Sequence, residues 1–167
     1  LSGCIFTSTA TATFSNTTTE TSLIGTGVGT KTLPANFEVA GKTVRVRVRG
    51  VYSIDAIGIA TLTFKVKFGS TVLTASAAIG AYPGLTNQYF EVCADITCRT
   101  TGATGTVFVQ GISFAFDGTG LVFPMATTAT VTIDTTATQV IDVTGTFSAA
   151  EAGTSISGTN CTIEVLN

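Results

Sequence analysis

Between Lys42 and Gly69 apolar and polar residues alternate without a break through two consecutive segments, and a period of two is the signature of half-buried β-strands. In the first segment Val44, Val46 and Val48 are apolar while Arg45, Arg47 and Arg49 are cationic. After a turn around Asp55 to Gly58, Leu62, Phe64, Val66 and Phe68 alternate with Thr61, Thr63, Lys65 and Lys67. A hairpin setting Arg47 opposite Lys65 keeps this parity, so one face is expected to be apolar. The other is expected to be a cationic ladder of Arg45, Arg47, Arg49, Lys65 and Lys67, drawn from only 8 basic residues in the chain.

Like charges facing each other across strands destabilise a sheet unless something separates them. The segment from Asn87 to Arg99 presents Phe90, Val92, Ala94 and Ile96 on one face and Tyr89, Glu91, Asp95 and Arg99 on the other. Beside the hairpin, Glu91 and Asp95 would interleave with the ladder as surface ion pairs, each worth about 0 to 1 kcal/mol. The alternative is that the ladder is a docking face for an acidic partner subunit. Nucleic acid is a poor fit to it, because the net charge is -2 and the isoelectric point about 4.9. The basic strands also lack exposed aromatics that stack on bases.

A chain of 167 residues suits one domain, residues 1–167, and can bury its own core without a disulfide or a metal. Only 11% of residues are charged, and threonine makes up about a fifth of the chain. So neutral a surface favours association with other copies or with a larger assembly, the alternative being a threonine-coated monomer. No apolar run is long enough to span a bilayer, so no membrane insertion is expected. Leu1 is not a start methionine and no signal-peptide pattern follows it, so a processed product or a start upstream of Leu1 is expected.

Further short strands are expected at Cys4 to Phe14, Leu23-Ile24 before a glycine-rich turn, Thr71 to Ala78, Gln88 to Arg99 and Thr106 to Phe116. In the last of these Phe108, Ile112, Phe114 and Phe116 share parity, Gln110 interrupts their face, and Gly111 suggests a bulge. Leu121 to Met125 reads as a loop or edge segment, and short strands around Val131, Val143 and Ile163 complete the chain. No stretch has a useful helical period. Eight to ten strands punctuated by turns, with essentially no helix, make the fold an all-β antiparallel sandwich or barrel.

Zero histidines removes the commonest general base and the commonest metal ligand together. Glu91 and Asp95 share a face but stand roughly 13 Å apart along a strand, too far for a glycosidase pair at about 5 to 9.5 Å. Asp117-Gly-Thr-Gly offers one carboxylate where calcium loops use several oxygens. Gly-Thr-Gly-Val-Gly at residues 25–29 lacks the Lys-Ser or Lys-Thr that closes a P-loop. Asn16-Thr-Thr and Asn160-Cys-Thr have glycan-acceptor or near-acceptor spacing, common by chance in a threonine-rich chain. Catalysis, a metal and a cofactor are therefore not expected. Strand parity places Cys98 inward, Cys93 outward, Cys4 on the face of Phe6 and Cys161 on that of Ile163. The thiols are expected free and mostly buried, the alternative being a Cys4 to Cys161 bridge if the terminal strands are neighbours.

The runs Asn16 to Gly29, Leu33-Pro-Ala-Asn-Phe, Gly41 to Arg47, Ile96 to Phe108, Val131 to Gln139 and Asn160 to Asn167 resemble a family of jelly-roll domains in tailed-bacteriophage virion proteins. The resemblance covers nearly the whole chain. It implies a tumour-necrosis-factor-like jelly roll without catalytic residues, often a homotrimer, in head decoration, head-fibre or tail-fibre proteins. The expected role is a capsid decoration or cement protein on the outer surface of the virion, assembled in the host cytoplasm. Its expected partners are the major capsid protein or other virion proteins. The alternative is a receptor-binding tip domain of a tail fibre, for which Tyr82, in a turn, is the best glycan contact; a major shell subunit is a weaker third reading.

Overall fold

The computed structural model describes residues 3–80 and 82–167, in which antiparallel strands form two sheets and no helix occurs. The large sheet contains β1 (Gly3–Ser8), β2 (Ala12–Ser15), β4 (Gly27–Gly29), β6 (Thr43–Ser53), β10 (Gln88–Thr100), β11 (Gly105–Ala115), β12 (Leu121–Pro124), β13 (Val131–Ile133) and β15 (Ser155–Val165). The small sheet contains β3 (Thr21–Ser22), β5 (Thr32–Leu33), β7 (Thr61–Phe68), β8 (Thr71–Ala75), β9 (Ile79–Gly80) and β14 (Gln139–Phe147). The order β1-β15-β6-β10 in one layer and β3-β14-β7-β8 in the other sends the chain back and forth between layers. That interleaving is a jelly roll. The strands from β11 to β13 extend its large sheet at one edge.

Both alternating segments are strands, and their apolar residues point inward as expected: Val44, Val46 and Val48 from β6, and Leu62, Phe64, Val66 and Phe68 from β7 are all buried. They do not form a hairpin. β6 lies between β10 and β15 in the large sheet, whereas β7 lies between β14 and β8 in the small one. The seven residues from Ile54 to Ala60 carry the chain across the sandwich instead of turning it back within one sheet. Both segments therefore bury their apolar sides in the shared core from opposite directions. Phe64 and Phe90 stack across it with ring centroids 5.2 Å apart, and removing either ring would leave a cavity costing about 3 to 5 kcal/mol.

Three other expectations change. The glycine-rich run is a strand, β4, and it is glycine because a Cβ at Gly27 or Gly29 would collide with the carbonyls of Thr7 and Ile5 on β1. Parity fails at Cys4, where a bulge between Cys4 and Phe6 leaves Phe6 buried and turns Cys4 outward opposite Glu164. Although β1 and β15 are neighbours, Cys4 and Cys161 are not bridged; Cys98 and Cys161 are buried free thiols. The third change concerns β11. Its register against β10 runs without a bulge at Gly111, and its buried residues are Val107, Val109, Ser113 and Ala115, so Phe108, Ile112, Phe114 and Phe116 share the opposite, outer face.

Candidate functional site

The expected cationic ladder is two clusters on opposite outer faces of the sandwich. On the large sheet, register sets Arg45 opposite Asp95 and Arg49 opposite Glu91. Arg45 grips Asp95 with two bonds, Nε to Oδ1 at 2.7 Å and Nη2 to Oδ2 at 2.8 Å, which holds the guanidinium pKa above its ordinary value. Arg49 Nε donates to Glu91 Oε2 at 3.1 Å, Arg47 Nε lies 3.1 Å from Glu91 Oε1, and the Tyr89 hydroxyl donates to Oε2 at 2.6 Å. Partial burial pushes the Glu91 carboxyl up, but the Tyr89 hydroxyl and the arginines outweigh burial and hold it below its ordinary value.

On the small sheet Lys65 Nζ lies 2.6 Å from Glu20 Oε2, Lys67 Nζ lies 2.8 Å from Oε1, and the Thr144 hydroxyl donates to Oε1 at 3.0 Å. Hydrogen bonds from Lys65 and then Lys67 bring the Glu20 carboxyl down to about 2. Thus all five ladder residues meet a carboxylate of their own chain. Asp95, Glu91 and Glu20 offset three of the five positive charges, with Glu91 shared by Arg47 and Arg49 and Glu20 by Lys65 and Lys67.

What the large sheet does present is apolar. Ile112 is 48% exposed and Val122 60% exposed. Register places Phe114 between Glu91 and Val122, and Ile112 between Cys93 and Pro124. The Tyr89 ring lies 5.9 Å from that of Phe114, and the space beside Gly120 is filled by the rings of Phe114 and Phe116. The Tyr52 hydroxyl, inside the core, donates to the Phe116 carbonyl at 3.0 Å and fixes the end of this strip. Sequence reading found the shared parity of Phe108, Ile112, Phe114 and Phe116 but could not tell which side it faced, since Val107 and Val109 on the other side are apolar as well.

At one end of the sandwich the loops between β6 and β7, β9 and β10, β11 and β12, and β14 and β15 come together. Two carboxylates organise them. Asp55 accepts from the Ile57 N–H at 3.1 Å and the Gly153 N–H at 2.9 Å. Glu151 accepts from the Ile59 N–H at 2.9 Å and the Thr154 hydroxyl at 3.1 Å. This clasp holds Ile57 and Ile59 outward, 90% and 83% exposed; both fall in or beside a stretch read from sequence as a plain turn. Tyr82 is 59% exposed, and its ring lies 3.4 Å from where a Cβ on Gly118 would sit. A groove of about 430 Å³ runs between Asp55, Leu85 and Gly153, and a second of about 290 Å³ lies between Ile57 and Glu151. Tyr82 lines neither of them.

Two of the thiols and one of the loop carboxylates are held in place by burial or by their own turn. Burial pushes the Cys161 thiol up to about 12 and raises that of Cys98, away from the reactive thiolate. Asp117 is committed to its own turn, accepting from the Thr119 N–H, the Thr119 hydroxyl and the Gly120 N–H. Among the described residues no three side chains of the metal-ligating types converge.

No protein-family model matches the chain, and no curated protein matches it significantly. Among solved structures it is similar to the CBM2 module of the evolved Dit of Lactobacillus casei phage J-1 (strain BL23), at 13% identity over 81% of this chain and 68% of that chain, with a TM-score of 0.35. A likeness of that degree bears on neither family nor function.

Proposed function

We propose that the chain is a non-enzymatic structural subunit of a bacteriophage particle, a trimeric capsid decoration, cement or head-fibre protein on the outer surface of the virion. In this role it stabilises the particle through contacts with its own copies and with the major capsid protein or other virion proteins. The observation that carries the reading is the character of the outer faces. Each ladder cation contacts a carboxylate of its own chain, and the large sheet leaves an apolar aromatic strip uncovered. Surfaces of this kind serve association. The resemblance of the sequence to virion jelly-roll domains supports the same role. Rebinding tests it: the purified chain should bind particles stripped of it and restore their resistance to heat, and an absence of rebinding would sink the proposal.

A second reading has its own support in the loop end of the sandwich, where Tyr82 stands exposed. There the chain would be the receptor-binding tip of a tail fibre, with Tyr82 stacking on a host glycan. A glycan array probed with the wild-type chain and with Tyr82→Ala decides it, a blank array ending that reading.

A further inference from the structure

We infer that the segment from Pro34 to Lys42 is a pH-sensitive strap, closed over the Cys98 end of β10 while the Glu38 carboxyl is protonated and released when it ionises. The inference goes beyond the reading of the chain as a particle subunit and does not depend on it.

The strap joins β5 to β6 and is almost wholly a surface segment. Pro34, Ala35, Asn36, Val39, Ala40 and Gly41 are exposed, while Phe37 and Lys42 are half-buried. Glu38 is the one side chain of the strap that lies fully inside. A surface loop ordinarily anchors itself with an apolar residue and leaves a carboxylate outside, because a carboxylate taken from water without a partner is strongly destabilising. Here the anchor is a carboxyl, and neither of its oxygens has a hydrogen-bond partner.

The strap is tied to the rest of the fold at its two ends. At one end the Asn36 N–H donates to the Thr135 carbonyl at 2.9 Å. At the other the Gly41 N–H donates to the Cys98 carbonyl and the Cys98 N–H to the Lys42 carbonyl, both at 2.9 Å, and Asn167 Nδ2 donates to the Gly41 carbonyl at 2.8 Å. Among the described residues, Phe37 to Ala40 make no backbone hydrogen bond outside the strap. Its middle is therefore held by the packing of Phe37 against the core and by the burial of Glu38.

The groups around Glu38 do not hold it as an anion. On the strap itself Lys42 favours the carboxylate, but less than burial disfavours it, since its ammonium is given to the Phe37 carbonyl. From β10 the facing titratable group is Cys98, a buried thiol raised by burial and further by the charge of Glu38. Protonated, Glu38 is a neutral side chain and stays inside. Ionised, it recovers water when residues 37 to 40 lift outward, and the lack of backbone bonds there lets them do so without opening either sheet. A groove of about 360 Å³ between Val39, Lys42 and Asn167 already brings solvent to the strap. Lifting it uncovers Cys98.

The test is labelling of Cys98 with a dipyridyl disulfide, from below to above the titration of Glu38. The parent chain carries Cys4→Ser and Cys93→Ser, so that the two buried thiols remain. Relative to the same chain with Glu38→Gln, which cannot ionise, Cys98 should react about a hundredfold faster at the alkaline end and equally fast at the acid end. Cys161, buried in β15, should react far more slowly than Cys98 throughout, because only unfolding uncovers it. Lys42→Met removes the ammonium that favours the carboxylate and should move the Cys98 transition to higher pH. Equal Cys98 rates in the parent and Glu38→Gln at every pH overturn the strap, and that is the outcome if Lys42 swings inward to neutralise the carboxylate in place. Cys98 and Cys161 reacting together also overturn it, since exposure then comes from global unfolding. Should Glu38→Gln fail to fold, a Cys98 transition that Lys42→Met leaves unmoved overturns the strap on its own.

Discussion

Glu38 lies in the segment joining β5 to β6, 2% exposed, and neither of its carboxylate oxygens has a hydrogen-bond partner. Lys42 is near, but its ammonium donates to the Phe37 carbonyl at 3.0 Å and sits 3.9 Å from the centre of the Phe37 ring. Burial therefore dominates and pushes the Glu38 carboxyl up to about 7, with Lys42 offsetting only part of the shift. Because the folded pKa lies above the unfolded one, the folded state binds the extra proton between about pH 4.5 and pH 7. Stability is then fullest below this window and falls as pH rises through it. A shift of this size corresponds to about 3 kcal/mol. Urea unfolding across the window should show that loss as the difference between the wild type and Glu38→Gln, which cannot ionise. The variant keeps only the opposite dependence of the depressed carboxyls such as Glu20, whose contribution to stability is lost as pH falls. Parallel profiles for the two proteins would show that the carboxyl is not buried in this way. No pattern in the sequence marks Glu38, because its burial comes from the packing of an irregular segment with no period to read.

Among the elements, β15 is the strand on which the large sheet closes, since it pairs with β1 and β2 on one side and β6 on the other. At Gly158, opposite Gly50, the two sheets approach by backbone: a Cβ there would collide with the Leu23 carbonyl, and the Leu23 N–H donates to Val143 O of the small sheet at 2.8 Å. Gly158→Ala must push these layers apart and should destabilise the fold by about 3 kcal/mol. Gly80→Ala, where a Cβ meets open space, should change the urea midpoint little; equal effects at the two sites would refute the close approach. The elements themselves were largely legible, because alternation at Lys42 to Phe68 names the strands and the residues they bury. Their neighbours were not. A period of two says which residues share a face, but it does not say which sheet a strand joins, so Arg47 and Lys65 could be set opposite each other on paper while lying in different layers. The bulge at Cys4 shows a second limit, since one extra residue reverses every parity argument across it. In β11 both faces are apolar, and the choice between them depends on the small sheet behind the strand, which the strand's own residues do not encode.

For the whole molecule, the outer strip and the loop end are separate apolar surfaces, and substitution tells which of them joins copies in solution. Ile57 and Ile59 are almost wholly exposed, yet the backbone beneath them is fixed by Asp55 and Glu151 through N–H bonds that do not involve the isoleucine side chains. Replacing both with serine therefore removes apolar surface without opening the core or releasing the clasp. The urea midpoint of Ile57→Ser with Ile59→Ser should stay within about 0.5 kcal/mol of the wild type. Its native mass should also match the wild type if the strip on β10, β11 and β12 joins the copies. The loop end would then face outward in the oligomer, free to meet a shell protein or a glycan, and the same variant should lose binding to stripped particles or to a glycan array while its mass is unchanged. A fall to monomer would reverse the assignment, because side chains with so little part in the core can dissociate an assembly only by lying in its interface.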